Sequence, residues 1–454
     1  MNINDTIVAQ STAFGESALA IVRITGKKAI EIINKIFPNK DLNKVKSHTI
    51  HFGNLVYNDE VIDEVLVSVF KEPNSYTKEN LIEISCHGSS YIIKKIITIT
   101  IHLGARIANK GEFTFRSFIN GNMDLSQAEA VADIISSNSK NSHKLAINHI
   151  KGVFSSKIKE LRKDLIDFSS LLELELDFSE EDVEFANRKK LNKTVKEIID
   201  YSDILIDSFK LNNVIKDGIN IIILGKPNVG KSTILNALLD EEKAIISNIP
   251  GTTRDIIEDT ITIGGNIVRF IDTAGLRDTI DTIEKIGIEK ALKKTKEASI
   301  ILYIIDLNAS NINTIKSELE SEFLKDKNIF IIGNKADLKV KNDVKTYFKS
   351  KKHLIISGIK ENDIIKLKKL IEIYISQNLI REESSIMINE RHYQLLKKVK
   401  DSLLNVKNNI KNKSNTDLLA MDVKYALNHL GEITGEITND EILGNIFSRF
   451  CIGK

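Results

Sequence analysis

Eight consecutive residues carry the clearest chemistry in this sequence: Gly225-Lys226-Pro227-Asn228-Val229-Gly230-Lys231-Ser232, a G-x-x-x-x-G-K-S loop. Glycines at both ends let the backbone turn its N–H groups toward a phosphate. A lysine at that spacing reaches the β- and γ-phosphates, and the serine hydroxyl is a ligand for Mg²⁺. The loop needs a strand before it and a helix after it. Ile219 to Leu224 is an apolar run of strand length, and a helical pattern follows from Ser232.

Three further pieces follow in order. Asn248-Ile249-Pro250-Gly251-Thr252-Thr253 stands where a first switch is expected, with two adjacent hydroxyls after a Pro-Gly turn. Asp272-Thr273-Ala274-Gly275 ends a β-patterned run. Its aspartate is expected to touch Mg²⁺ through water, and its glycine N–H to sense the γ-phosphate. Asn334-Lys335-Ala336-Asp337 closes another apolar run. Asp337 can accept two hydrogen bonds from N1–H and N2–H₂ of guanine and none from adenine. Asn334 can complement O6 and N7, and the Lys335 stem can pack on the base. A buried Asp337 left unpaired would be costly, so the set selects GTP over ATP. Ser357-Gly358 stands at the last guanine loop, where Ser-Ala is usual.

Leu276 follows DTAG, where many switch GTPases place a water-orienting glutamine. Leucine cannot orient water, so another group must act. Asn228 could hold a monovalent cation beside the phosphates, or simply form a turn after Pro227. Glu284 could position water, or be a solvated acid at a helix start.

Positioning these residues requires a doubly wound, mostly parallel sheet with the ligand at the strand C-terminal ends. Strands are expected at 219–225, 257–263, 267–272, 299–306, 328–333 and 353–357, with a hairpin turn at Gly264-Gly265. Helical patterns flank this block. Leu161, Leu165, Phe168, Leu172 and Leu176 recur at helical spacing, and a second helical stretch spans roughly 386–449. The N-terminal 118 residues alternate strands (ALAIVRI, DEVLVSVF, LIEISC) with helices (KKAIEIINKIF, SSYIIKKIITITI), an α+β pattern. The expected fold is therefore multidomain α/β and α. It comprises an α+β domain at 1–118, a discontinuous helical domain at 119–215 and 379–454, and a Ras-like P-loop domain inserted at 216–378.

The 454 residues suit about three domains. A net charge of +2 singles out no partner. Two widely separated cysteines, Cys86 and Cys451, give neither a disulfide framework nor a metal spacing, which fits a cytoplasmic protein. No secretory leader is expected from MNINDTIVAQ, and no apolar run approaches the ~18 residues of a membrane span. Cys451 lies in a terminal C-I-G-K. That is a poor lipidation box, because Gly453 is not aliphatic and Lys454 is not a usual final residue.

Taken together, these residues resemble one family, the tRNA wobble-uridine modification GTPases (MnmE, also called TrmE). The resemblance runs the whole length, through DTIVAQST, ALAIVRITG, ENLIEISCHG, KGEFTFRSFINGNMDLSQAEAVADII, GKPNVGKS, IPGTTRD, DTAGLR, IEKIGIEKA, NKAD and the terminal EITGEITNDEILGNIFSRFCIGK. It implies a folate-binding, dimerising N-terminal domain and a K⁺-stimulated GTPase whose two copies meet when GTP and K⁺ bind. It also implies a partner carrying FAD (MnmG, or GidA). The pair installs an aminomethyl or carboxymethylaminomethyl group at C5 of the wobble uridine of certain tRNAs. The one-carbon unit comes from 5-formyl- or methylene-tetrahydrofolate.

Carried over by position, Asn228, Ser247, Ile249 and Thr252 are implied as K⁺ ligands, Ser247 and Ile249 through backbone oxygens. Ser232 and Thr253 are implied for Mg²⁺. Glu284 is implied to orient water, with Lys231 and Asp272 completing the catalytic set. Val229, Gly230, Thr233, Asn248, Pro250, Gly251, Thr273, Ala274, Gly275 and Ser357 join the nucleotide contacts. Arg23, Glu83 and Lys454 are implied folate contacts. Asn122 stands where relatives have a lysine, and Ser89 where a second glycine is usual. For Cys451 the options are covalent chemistry or a packed tail thiol. Two other readings compete: an RNA-binding assembly GTPase, and a folate-binding protein with a regulatory switch domain.

Overall fold

A computed structural model describes residues 4–178, 185–246, 260–271, 298–308, 328–338, 353–379, 386, 388–412, 415–448 and 450–453. The chain forms two compact units. The first comprises Met1–Ile135, Ile147–Ser202 and Gln394–Lys454, and the second Ser136–Ala146 and Asp203–Tyr393.

The first unit begins with a six-stranded sheet built from β1 (Ile7–Gln10), β2 (Ser17–Thr25), β3 (Thr49–Tyr57), β4 (Glu60–Phe70), β5 (Leu81–Gly88) and β6 (Arg106–Ile107), in the order β3-β4-β5-β2-β1-β6. Pairing is antiparallel except between β1 and β6. Alternation does the work. Val65, Val67 and Val69 of β4 and Ile82, Ile84 and Cys86 of β5 point to one face, where α1 (Ala29–Asn34) and α2 (Ser90–His102) cover them with Ile30, Ile32, Ile33, Ile93, Ile96 and Ile99. Three of these strands, β1, β3 and β6, were not expected from the sequence. β1 is buried at all four positions, so it shows no alternation, and β6 is two residues long. β3 exposes its apolar Ile50 and Phe52 and is tied to β4 through Asn58-Asp59, both at positive φ.

Helix α3 (Glu112–Ile119) is locked by charge. Arg116 is fully buried. It donates to the Asp5 carbonyl (2.7 Å), Asp5 Oδ1 (2.5 Å) and Glu112 Oε1 (3.0 Å), with Glu79 Oε2 at 3.3 Å. Arg106 forks onto Asp5 and Glu112 as well. A buried guanidinium is tolerated because carboxylates and a carbonyl surround it.

Among the described residues the remaining α-helices, in chain order, are α4 (Leu125–Ile135), α5 (Lys140–Ile150), α6 (Val153–Asp177), α7 (Arg188–Asp217), α8 (Lys231–Ile246), α9 (Glu361–Tyr374), α10 (Glu390–Lys411), α11 (Thr416–Thr434) and α12 (Asp440–Phe447). Of the four boundaries between units, one follows α4 and the other three fall inside α5, α7 and α10. Helix α6 buries Leu161, Leu165, Phe168 and Leu172 as its periodicity predicts, and it packs on α11. Leu176 differs from expectation: it is half-buried, and Glu175 takes the inward position. The Glu175 carboxylate accepts from the Ala186 N–H and Arg188, so a satisfied acid displaces an apolar residue at the helix end. Phe447 and Phe450 pack beside Phe115, Phe118 and Leu125, which anchors the chain just before its C-terminus.

The second unit holds another six-stranded sheet: β7 (Ile219–Leu224), β8 (Thr260–Ile263), β9 (Asn266–Ile271), β10 (Ile300–Asp306), β11 (Ile329–Asn334) and β12 (His353–Ile355), ordered β12-β11-β10-β7-β9-β8. All pairs are parallel except β8–β9. Near-continuous burial of β7, β10 and β11 fits a sheet covered on both faces. The β8–β9 turn, Gly264-Gly265, has both residues at positive φ and is wedged. A Cβ on Gly264 would stand 2.7 Å from Glu372 Cγ of α9, and one on Gly265 would stand 3.3 Å from Lys140 Cβ of α5. Asn141 of α5 donates from its N–H to the Gly265 carbonyl (3.2 Å) and from its amide to Asn266 Oδ1 (2.9 Å).

Candidate functional site

β7 delivers the glycine loop and α8 begins at its lysine, the strand–loop–helix order that the motif requires. Asn228 adopts φ +62, and its side chain is exposed. Gly230 sits at φ +94, where a Cβ would be 2.3 Å from Asn334 Nδ2, so only glycine fits. Lys231 folds its ammonium onto the carbonyls of Gly225 (2.9 Å) and Lys226 (2.8 Å), and burial lowers its pKa. Ser232 and Thr233 are exposed on the first turn of α8. They line a cleft of about 450 Å³ with Asn236, Gly358, Ile359 and Glu361.

The guanine loops meet this P-loop through Asn334, which is 3% exposed. Its Nδ2 donates to the Val229 carbonyl (2.8 Å), and its Oδ1 accepts from the Gly358 N–H (2.8 Å). This modifies the sequence expectation. One amide hydrogen is committed to the P-loop, which leaves the other for the O6/N7 edge of a base. Lys335, at φ +65, donates to the Asn228 carbonyl (2.8 Å) and to Asp306 Oδ2 (2.7 Å). Asp337 is exposed, where exclusion of ATP calls for a buried carboxylate. Its burial must come from the base itself. Ser357 Oγ donates to Asp337 Oδ1 (2.6 Å), and that bond is the main cause holding the carboxyl below the ordinary range. The Ser357 N–H is fixed by Asp363 Oδ2 (3.0 Å). Asp306, Asn308 and Asp363 were missed by motif reasoning. Asp306 alone gave a signal, as an acid at the C-terminal end of an apolar strand.

Ser247, Asn248, Ile249, Pro250, Gly251, Thr252, Thr253, Asp272, Thr273, Ala274, Gly275, Leu276, Glu284 and Lys454 lie outside the described residues. Among the described residues, the exposed Asn228 amide and the Ser232 hydroxyl are oxygen donors of the kind K⁺ and Mg²⁺ accept.

A second site lies in the first unit. Arg23 of β2 stands opposite Glu83 of β5 in register, with Nε and Nη2 both on Oε1 (2.9 and 2.7 Å). Its guanidinium lies 5.6 Å from the ring centres of both Tyr76 and Phe113. The C-terminal tail closes over it. Ile452 bridges to Lys110, the Gly111 N–H donates to the Cys451 carbonyl (3.3 Å), and the Gly453 carbonyl accepts from Arg23 Nη1 (3.3 Å) and Ser11 Oγ (3.2 Å). The tail backbone is packed, but the Cys451 thiol is exposed, so the packed-thiol option of the two is not what the structure holds. Cys86 is buried, and burial pushes its thiol up to about 11. Asn122 donates to the Tyr76 carbonyl (2.9 Å) and Ser117 Oγ (3.2 Å), bracing the ring beside Arg23. A guanidinium beside two aromatic rings offers the chemistry that a flat ligand with polar or anionic groups would use.

Residues 6–122 match the family described as GTP-binding protein TrmE N-terminus, and residues 125–451 the MnmE helical domain. The tRNA modification GTPase MnmE of Flavobacterium psychrophilum is 46% identical over 462 residues, covering 100% of both chains. That of Flavobacterium johnsoniae is 47% identical over 464 residues, covering 99% of each. Among solved structures, the G domain of the T. maritima FeoB iron transporter overlaps 35% of this chain and 99% of its own at 21% identity and TM-score 0.26, too slight a likeness to carry weight. No helix among the described residues is long and apolar enough to cross a membrane. Full-length identity at this level, with two family matches that together span nearly the whole chain, means that the chain belongs to the MnmE (TrmE) family of tRNA modification GTPases.

Proposed function

We propose that this chain, a GTP hydrolase of tRNA modification, works as a K⁺-dependent switch in building the C5 substituent of the wobble uridine. Its proposed partners are a second copy of itself, joined through residues 1–118, a FAD-carrying MnmG-type subunit, and the tRNA. The helical parts at 119–215 and 379–454 flank a GTPase domain at 216–378. The cytoplasm is the proposed setting.

The observation that carries the nucleotide reading is the ionised, exposed Asp337, held by Ser357 beside the cleft that Ser232 and Thr233 line. The N1–H and N2–H₂ of guanine would bury that carboxylate with its hydrogen bonds satisfied. Adenine would bury it unpaired. Lys231 leaves two loop carbonyls for the phosphates. Its lowered pKa is a desolvation effect that an anionic ligand would oppose. Asn228 would hold K⁺ with Ser247, Ile249 and Thr252. Ser232 and Thr253 would hold Mg²⁺, with Asp272 acting through water. K⁺ there supplies positive charge at the developing negative charge. Glu284 would orient water in place of the glutamine that Leu276 replaces.

For the second site, Arg23 with Glu83, the rings of Tyr76 and Phe113 and the docked tail support a tetrahydrofolate derivative, with Lys454 as a contact. Its pterin is flat and its tail anionic.

The test is GTP hydrolysis in K⁺ and in Na⁺ at equal ionic strength, with ATP as control, on wild type and N228A. Stimulation by K⁺ that N228A abolishes supports the cation mechanism, and equal slow rates in both salts refute it. Loss of the wobble-uridine modification without this chain separates the reading from an assembly GTPase.

A further inference from the structure

Outside the motifs that announce the nucleotide site, Asp306 sits where three of its elements converge. It is the last residue of β10 and pairs in register with Asn334 of β11. It is 8% exposed. Its two oxygens do different jobs. Oδ2 accepts from the Lys335 ammonium (2.7 Å), and Oδ1 accepts from the Asn308 N–H (2.9 Å). The same ammonium donates to the Asn228 carbonyl of the P-loop (2.8 Å), and Asn308 Nδ2 donates back to the Lys335 carbonyl (3.1 Å). The result is a closed ring of hydrogen bonds from β10 to the guanine loop, with a branch to the P-loop. Two of its members, Asn228 (φ +62) and Lys335 (φ +65), are non-glycine residues in left-handed backbone. Such conformations persist where the surroundings fix them.

We propose that Asp306 is a positioning residue for guanine nucleotide: its carboxylate fixes the Lys335 stem as a platform for the base and ties that platform to Asn228. This rests on the GTP-site reading above. The chemistry calls for a carboxylate at this position. Lys335 Nζ and the Asn308 N–H are both donors, so these two contacts require two acceptors on one carbon. An asparagine would place its NH₂ against either the ammonium or the Asn308 N–H, whichever way it turned. A buried acid is also acceptable there only because the ammonium compensates it. Without it the lysine keeps one carbonyl and loses its fixed direction, and the P-loop loses a strut at the residue with the exposed amide.

The experiment measures release of fluorescent GDP from the full chain by stopped flow, together with KM and kcat for GTP. D306A and D306N are expected to release GDP about 10- to 100-fold faster, the loss for a charge-assisted hydrogen bond. KM should rise while kcat at saturating GTP changes much less, and D306E should recover part of the loss. K335A should lose about as much, and K335A/D306A no more than K335A alone, because the two act as one unit. A merely structural acid would lower the unfolding temperature and leave release unchanged. Release within about twofold of wild type in folded D306A, or losses that multiply in the double variant, would overturn the proposal. Should D306A not fold, D306N, which keeps the volume, is read the same way. Failure of the wild type itself to bind labelled GDP would strike at the GTP-site reading instead.

Discussion

Gly453 offers a sharp test of the tail-closed site. It adopts φ +95, and a Cβ there would lie 2.1 Å from the Gln10 carbonyl oxygen, 2.9 Å from its carbon and 3.0 Å from Ser11 Cα. All three are backbone atoms of β1 and its exit, so no rotamer change relieves the contact. In G453A the left-handed backbone itself costs ~1–2 kcal/mol. The clash then forces the tail off, with loss of the charged bond from Arg23 and the neutral one from Ser11. Those are worth ~1.5–3 and ~0.5–1.5 kcal/mol. The ~1–2 kcal/mol of backbone strain alone lowers the docked population about 5- to 30-fold, and the clash lowers it further. Because the segment is terminal, the unfolding temperature should stay within a few degrees of wild type. The assay pairs carboxypeptidase digestion of the C-terminus with calorimetric binding of 5-formyltetrahydrofolate. The expected result is rapid trimming and affinity at least ~10-fold weaker. A G453A tail as protected as wild type, with unchanged folate affinity, would refute the reasoning that the tail closes the Arg23 site.

Arg116→Met should destabilise the chain by ~3–5 kcal/mol in urea unfolding, since it leaves Asp5 and Glu112 with Arg106 as their remaining guanidinium and takes from Glu79 the guanidinium it faces. Burial pushes Asp5 and Glu112 up, but hydrogen bonds from Arg106 and Arg116 outweigh it and hold both below the ordinary range. Their stabilisation is therefore present above the unfolded carboxylate pKa and is lost as pH falls through the depressed native values. In R116M burial acts with less opposition and favours the protonated acids, so its deficit against wild type should narrow from pH 7 to pH 4. A constant deficit would show that the acids do not depend on Arg116. Ser357→Ala removes the main cause of the lowered Asp337 pKa, so GDP affinity should fall off at a higher pH than in wild type as the solution is acidified. Superimposable pH profiles would contradict that assignment.

The nucleotide half of the molecule was open to sequence reading because its chemistry sits at strand ends. The run INIIIL, the glycine loop and the NKAD quartet gave β7, its loop and β11 nearly residue for residue. What motifs could not give was the division of labour. Asn334 reads as a base contact, yet tertiary packing commits most of its amide to Val229 and Gly358. Asp306 has no motif, because its role exists only once β10 lies between β7 and β11. In the first unit the missed strands share a cause. β1 is buried on both faces and β3 exposes its apolar residues, so neither shows the inward-apolar alternation that marks a half-buried strand. The tail was legible as a question. Its answer depended on Arg23, which is 430 residues away in the chain.

The wedged β8–β9 tip bears on how this protein can be re-engineered. Hairpin tips ordinarily accept inserted peptides, tags or whole domains, because nothing presses on them. This one is pinned by Asn141 on one side and Glu372 on the other, and β9 ends at Ile271, next to the DTAG segment. A graft there would have to shift β9, and a one-residue slip would turn every side chain of that strand to the opposite face. The Asn58-Asp59 turn between β3 and β4 is exposed and already left-handed at both residues. A reporter belongs there.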